Sequence, residues 1–182
     1  AAAAVVAAGA WVSQVAPRIA RFPPVTVSQQ QVFHFPRRDP SLDWPVFVHK
    51  EEALSMFGLP GGADGGPGNA QKVAEHGGGR VTTAAGRDGI VDAAARERVV
   101  AYVRDWLPGL VPEPFNETTC LYTTTADEDF VLDRRGPLVV CSACSGHGAK
   151  FAPWLGVQAA RLAAKDGFGP LRFRLDRPAL AV

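Results

Sequence analysis

No run of apolar residues in this chain approaches the roughly 20 needed to cross a bilayer as a helix. There is no excess of charge either: 19 basic against 18 acidic residues leave a formal net charge of +1, with the two signs interspersed. That balance removes the electrostatic footprint by which nucleic acid or an anionic membrane would be bound. Cysteine is scarce. Three cannot all pair, so nothing argues for a secreted disulfide scaffold, and a reducing cytoplasm is the expected setting. G-x-G-x-x-G is missing as well. Gly66-Pro67-Gly68 and Gly77-Gly78-Gly79 both lack the third glycine and the preceding strand, so these residues hold no cradle for a dinucleotide pyrophosphate. The chain opens AAAAVVAAGAW, with no initiator methionine and no basic leader. It reads as a buried strand entered partway, and the expectation is that upstream sequence is missing.

What is present is a mixture of strands and helices. At 182 residues the chain can bury about 70% of the surface its unfolded form exposes. Ala2–Ala8 reads as a strand ending at Gly9, followed by a short helix over Ala10–Ile19. After Pro23-Pro24 come candidate strands at Val25–Phe35, Trp44–His49, Ala53–Leu59 and Ala70–Ala74. Five glycines and a proline make residues 61–69 a loop. Val91–Leu107 is the clearest helix, with Val99, Val103, Trp106 and Leu107 on one face and Pro108-Gly109 as its stop. Thr118–Thr123, Phe130–Leu132 and Pro137–Cys141 read as strands around an acidic turn at Ala126–Asp129. Pro153–Ala164 is a second helix, and Leu171–Leu175 an extended tail. The pattern is α/β, or α+β, without internal repeats.

The chemistry-bearing residues cluster late in the chain. In Ser145-Gly146-His147-Gly148-Ala149-Lys150, two glycines flank a histidine between a strand and a helix, where small residues let backbone N–H groups approach an anion or a ring carbonyl. Lys150 puts a cation where the helix dipole favours an anion. Two readings stand: a bound negative group, or a solvated lysine beside a glycine turn. Cys120 is a buried free thiol or a reactive one, and His147 a ligand-facing group or a hydrogen-bonded core histidine. Cys141 and Cys144 form a C-x-x-C, read here as structural because Cys141 lies within a strand.

These residues resemble the signature of the monomeric sarcosine oxidase family of FAD-dependent amine oxidases, with N-methyltryptophan and pipecolate oxidases among its members. That family's C-x-Y-T strand is matched by Cys120-Leu121-Tyr122-Thr123, and its D-E-x-F-x-x-D segment by Asp127 through Asp133. Its S-G-H-G-x-K-F run is matched within Val139 through Phe151, and its terminal R-P-A-L by Arg177-Pro178-Ala179-Leu180. Gly9-Ala10-Trp11, Phe57-Gly58-Leu59-Pro60 and Lys72 through His76 are similar to further family elements.

The resemblance implies roles. Cys120 corresponds to the cysteine that carries FAD through a thioether. Gly146, Gly148, Lys150 and Trp11 fall at cofactor-binding positions. Lys150 would also hold the carboxylate of a small amino-acid substrate, with Tyr122, Phe57 and His76 lining the pocket. Lys72, His147 and Tyr122 are the catalytic candidates, Lys72 being the lysine that promotes electron transfer to O2. Implied too are a partial Rossmann-like FAD-binding domain (1–24 and 116–182), whose nucleotide-binding part is missing, and an antiparallel-sheet substrate domain (25–115). The full-length protein would be monomeric and produce hydrogen peroxide, with no nucleic acid or membrane partner. Phe57 stands where sarcosine-specific members have tyrosine, which leaves the choice among sarcosine, cyclic imino acids and bulkier N-methyl amino acids open. The other function class left open is a non-catalytic fragment or interaction module without cofactor.

Overall fold

Two sheets take up the strands, and each buries one face under a helix. The structure, a computed structural model, describes residues 2–15, 22–62, 66–167 and 169–180. It divides into two compact units, one of residues 1–27, 82–86 and 122–182, the other of residues 28–81 and 87–121.

In the first unit, β1 (Ala4–Val6) pairs in parallel with β9 (Leu138–Ser142), in the register Ala4↔Leu138 to Val6↔Val140. β8 (Val131–Arg135) pairs antiparallel with β9 on its other side. Alternation along these strands sends side chains to opposite faces. Leu132 and Val139 go to one face, with Phe130 and with Leu155, Ala159 and Leu162 of α3 (Ala152–Ala164). Val131 and Val140 go to the other, against Leu180. The helix ends on Lys165 in the left-handed conformation, and Arg134 of β8 donates to the carbonyls of Leu162 and Ala163 at that end. A cation on the carbonyls at that end complements the helix dipole.

The second unit is built on a six-stranded sheet. Its order is β3 (Phe47–Lys50), β4 (Ser55–Pro60), β5 (Ala70–Glu75), β2 (Val25–Pro36), β6 (Arg80–Thr82), and β7 (Asn116–Thr125) also pairs with β2. β3, β4, β5 and β2 are antiparallel neighbours. Phe33, Phe35, Met56 and Val73 pack on Val99, Tyr102 and Val103 of α2 (Ala93–Trp106), with Leu110 closing the cluster. Asp92 caps α2 by accepting from the Ala95 N–H at 2.7 Å, an interaction worth about 1 kcal/mol.

Several expectations are corrected. Trp106 was expected on the buried face of α2 but is 56% exposed, and Tyr102 takes its place in the core. Tyr102 and Val103 lie together on the core face with Val99 and Ala95, whereas Trp106 stacks on the outside of Tyr102 at 6.4 Å. The segment after Gly9 is a 3₁₀ turn (Gly9–Trp11) running into a four-residue helix, α1 (Val12–Val15); the remainder of the expected helix lies outside the described residues. Leu171–Phe173 is a 3₁₀ turn and not extended, because Phe173 bonds back to the Pro170 carbonyl and inserts its ring beside Phe130. The strand expected from Trp44 begins at Phe47. The three-residue β6 gave no sequence signal, being shorter than any alternation can register.

Candidate active site

The sheet of the second unit has a second face, opposite α2. Lys72 is the cross-strand partner of His34 on one side and of Leu59 on the other. Phe57 pairs with Ala74, two residues from Lys72, and so projects from the same face. The side that each residue of β7 takes is fixed by two contacts. Glu117 reaches Arg96 of α2 at 2.6 Å, and Asn116 meets Nδ1 of His34 at 3.1 Å. Alternation then carries Cys120 to the His34 side, and the positive charge of Lys72 acts on its thiol. Four of the expected site residues therefore share this region: Lys72, Phe57 and Cys120 are half-buried, and His76 lies at the exposed end of β5 with its ring 6.5 Å from Phe57 in an edge-to-face contact. Tyr122, two residues beyond Cys120, repeats its side of the strand and is half-buried.

Burial pushes the Cys120 thiol up from its ordinary pKa, while the positive charges of Lys72 and Arg87 pull it back. Burial dominates, so the group is a thiol at neutral pH whose ionisation is eased by two cations.

The glycine turn belongs to the first unit. Ser145 and Gly146 both have positive φ, at 50° and 74°, and the His147 N–H closes the turn on the Cys144 carbonyl at 3.2 Å. Two consecutive left-handed residues define a tight turn that glycine enters freely and serine only under strain. Ser145 is held there by its N–H bond to the Thr123 carbonyl at 2.8 Å. Gly148 is required by space: a Cβ there would lie 1.6 Å from the Ala143 carbonyl oxygen. His147 donates from Nδ1 to the Ser145 carbonyl at 2.8 Å, which fixes the tautomer and leaves Nε2 as the ring's acceptor when neutral. Its ring packs on Phe130 at 5.0 Å. Lys150 is exposed, in the 3₁₀ turn Ala149–Phe151 before α3, and no side chain caps that turn. Trp11 is 49% exposed at the end of its own turn.

Cys141 and Cys144 are both free thiols, with Cys141 inside β9. Burial raises both, further for Cys141 because of its neighbour Cys144, and partly offset for Cys144 by hydrogen bonds to Thr123 and Ser142.

Sequence reasoning missed three residues around this region. His34 is 2% exposed, lies opposite Lys72, and has Gly66 so close to Nε2 that a Cβ at position 66 would sit 2.0 Å away. Asn116 donates to its Nδ1, so the proton is on Nε2. Arg87 binds the Thr119 carbonyl at 2.6 Å. Strand alternation sets His34 on the face of β2 away from Phe33 and Phe35 but does not pair it with Lys72, and nothing in the sequence marks Arg87.

The chain belongs to the FAD dependent oxidoreductase family, matched over residues 1–162. It is 31% identical over 177 residues to N-methyl-L-tryptophan oxidase of Yersinia pestis, covering 92% of this chain and 44% of that protein. Over 59 residues it is 48% identical to the peroxisomal sarcosine oxidase of Homo sapiens, covering 31% of this chain and 15% of that protein. Its fold is similar to that of a mutant of NikD, described as an unusual amino acid oxidase essential for nikkomycin biosynthesis. The TM-score is 0.76 at 22% identity, over 98% of this chain and 49% of NikD. The chain thus spans less than half the length of the full-length proteins it matches.

Proposed function

We propose that this chain supplies part of an FAD-dependent oxidase acting on a secondary or N-methyl amino acid, with O2 as electron acceptor and imine and hydrogen peroxide as products. The observation that carries the reading is the shared placement of Cys120, Lys72 and Phe57 on the sheet face opposite α2. The residues fit a flavin: a thiol under the influence of two cations, an aromatic side chain on the same face, and an uncapped turn after a glycine that tolerates no Cβ. FAD, when bound, supplies the acceptor for the hydride equivalent from the C–N unit.

The protein residues then have distinct tasks. Cys120 attaches the cofactor. Its sulfur would hold the flavin covalently, keeping the ring on the face that Cys120 shares with Lys72. Lys72 offers a fixed positive charge where negative charge develops during oxygen reduction. Lys150 pairs with the substrate carboxylate, and the uncapped turn beside it and Trp11 serve the cofactor. His147, with Nδ1 committed to Ser145, presents Nε2 as an acceptor for the ammonium or amine of the substrate. Tyr122, Phe57 and His76 shape the substrate pocket. The assembled enzyme is a cytoplasmic monomer.

The test is expression of the full-length gene product and assay with sarcosine, N-methyl-L-tryptophan and L-pipecolate. Peroxide formed in proportion to amine consumed is the expected result. A purified, folded protein that binds FAD and oxidises none of these or other secondary amino acids contradicts the reading.

A further inference from the structure

We propose that Arg87 is a positioning residue for Cys120, fixing β7 at Thr119 and holding a positive charge next to the residue that carries the thiol. The inference rests on the proposed attachment of the cofactor at Cys120. Arg87 lies in the segment leading to α2. Its Nη2 donates to the Thr119 carbonyl at 2.6 Å and its Nε to the Thr119 hydroxyl at 3.3 Å. Thr119 is 5% exposed while Arg87 is exposed, so both bonds are part-buried at the surface of β7. A guanidinium fork suits two acceptors on one residue, which a lysine ammonium would not hold in the same fixed geometry.

Thr119 directly precedes Cys120 and projects from the opposite face of β7. The two cations therefore reach the sulfur from different directions, Lys72 from β5 on the thiol's own face and Arg87 from beyond Thr119. The neighbouring acid does not cancel Arg87: Asp88 is engaged with Gln29, the Ile90 N–H and Arg80. Among the described residues, the other titratable side chains of that region are His34 of β2, bonded to Asn116, Tyr122 two residues along β7, and His76 beside Phe57. Because the thiolate is the nucleophile, anything that favours ionisation of a half-buried thiol favours its bond-forming chemistry.

The experiment uses the full-length polypeptide made under riboflavin depletion, in wild-type form and as Arg87→Met, Arg87→Lys and Lys72→Met. Alkylation of Cys120 by iodoacetamide is followed against pH by the mass of its peptide, with thermal melting recorded beside it. Arg87→Met is expected to move the alkylation midpoint upward and slow the reaction at pH 7.5 about three- to tenfold. Arg87→Lys, which keeps the charge and loses the fork, is expected to retain more than half of the wild-type rate. An unmoved midpoint in Arg87→Met, or Arg87→Lys behaving like a charge deletion, overturns the proposal. If Arg87→Met does not fold, Arg87→Gln takes its place: it must move the midpoint upward in the same way, and an unmoved midpoint there overturns the proposal. Addition of FAD separates the two levels. Wild-type protein that releases all its flavin in acid refutes attachment at Cys120, whereas the alkylation series judges Arg87 independently of it.

Discussion

Arg177 and Asp127, fifty residues apart, form a two-pronged ion pair: Nε donates to one carboxylate oxygen at 2.7 Å and Nη2 to the other at 2.9 Å. Arg177 is 7% exposed, and its Nη1 also donates to the Phe130 carbonyl at 2.8 Å. The two motifs at the ends of the C-terminal region, Asp127-Glu128-Asp129-Phe130 and Arg177-Pro178-Ala179-Leu180, are thus one device. It ties the tail to the start of β8, beside the Phe130 ring on which His147 packs. Removing the guanidinium leaves a carboxylate and a buried carbonyl without their donor. Arg177→Met is therefore expected to cost about 2–4 kcal/mol, read by denaturant unfolding.

The same pair sets an acid limit. Arg177 holds the Asp127 carboxyl well below the usual range, at about 2 against 3.8. A depressed carboxyl contributes stability that is complete above its unfolded pKa and is lost as pH falls through the folded one. Wild-type stability should therefore decline between about pH 4 and pH 2 with a component that Asp127→Asn removes. Unfolding free energies of the two proteins measured across that interval provide the check.

Gly148 marks where backbone space is tightest. With a Cβ 1.6 Å from the Ala143 oxygen, Gly148→Ala must push the Cys144–Gly148 turn off β9. The expected outcome is a stability loss of about 2 kcal/mol or more, with His147 displaced and flavin content reduced. Melting curves and the flavin-to-protein absorbance ratio measure both. Gly68, whose Cβ would meet nothing within 4 Å, is the control, and Gly68→Ala should leave both readouts near wild type.

Lys72 separates an oxidase from a dehydrogenase. If its charge serves oxygen reduction, Lys72→Met slows reoxidation by O2 by about two orders of magnitude or more while anaerobic reduction by substrate keeps its rate within a few-fold. Stopped-flow measurement of the two half-reactions distinguishes them. Turnover unchanged in Lys72→Met would mean that electrons go to an acceptor other than O2.

Much of this was legible in the sequence, and the reasons are local. Val99 and Val103 at helical spacing, with Pro108-Gly109 behind them, announced α2. Cys120, His147 and Lys150 stood in the motifs that carried the family resemblance, and the family match bears that resemblance out. What was not legible depends on pairing between distant segments. The Arg177–Asp127 bond, the meeting of His34 with Lys72 across β2 and β5, and the grip of Arg87 on Thr119 each join residues far apart in the chain. Trp106 was misjudged because helical periodicity gives a stripe about 100° wide and does not say which edge of it the sheet covers. The tail at 171–175 was misread because a Phe173 ring, not backbone alternation, decides its course.

Cys120 and Lys72 share a face, on the function proposed, because both serve a flavin that passes electrons to O2. The most direct measurement is on the full-length gene product: acid precipitation, in-gel flavin fluorescence and peptide mass of the Cys120 segment, with peroxide assayed on an N-methyl amino acid before denaturation. The expected result is fluorescence retained on the polypeptide, a flavin mass on the Cys120 peptide that Cys120→Ser abolishes, and peroxide in step with amine consumed. Folded protein with an unmodified Cys120 and no peroxide from any secondary amino acid would contradict it.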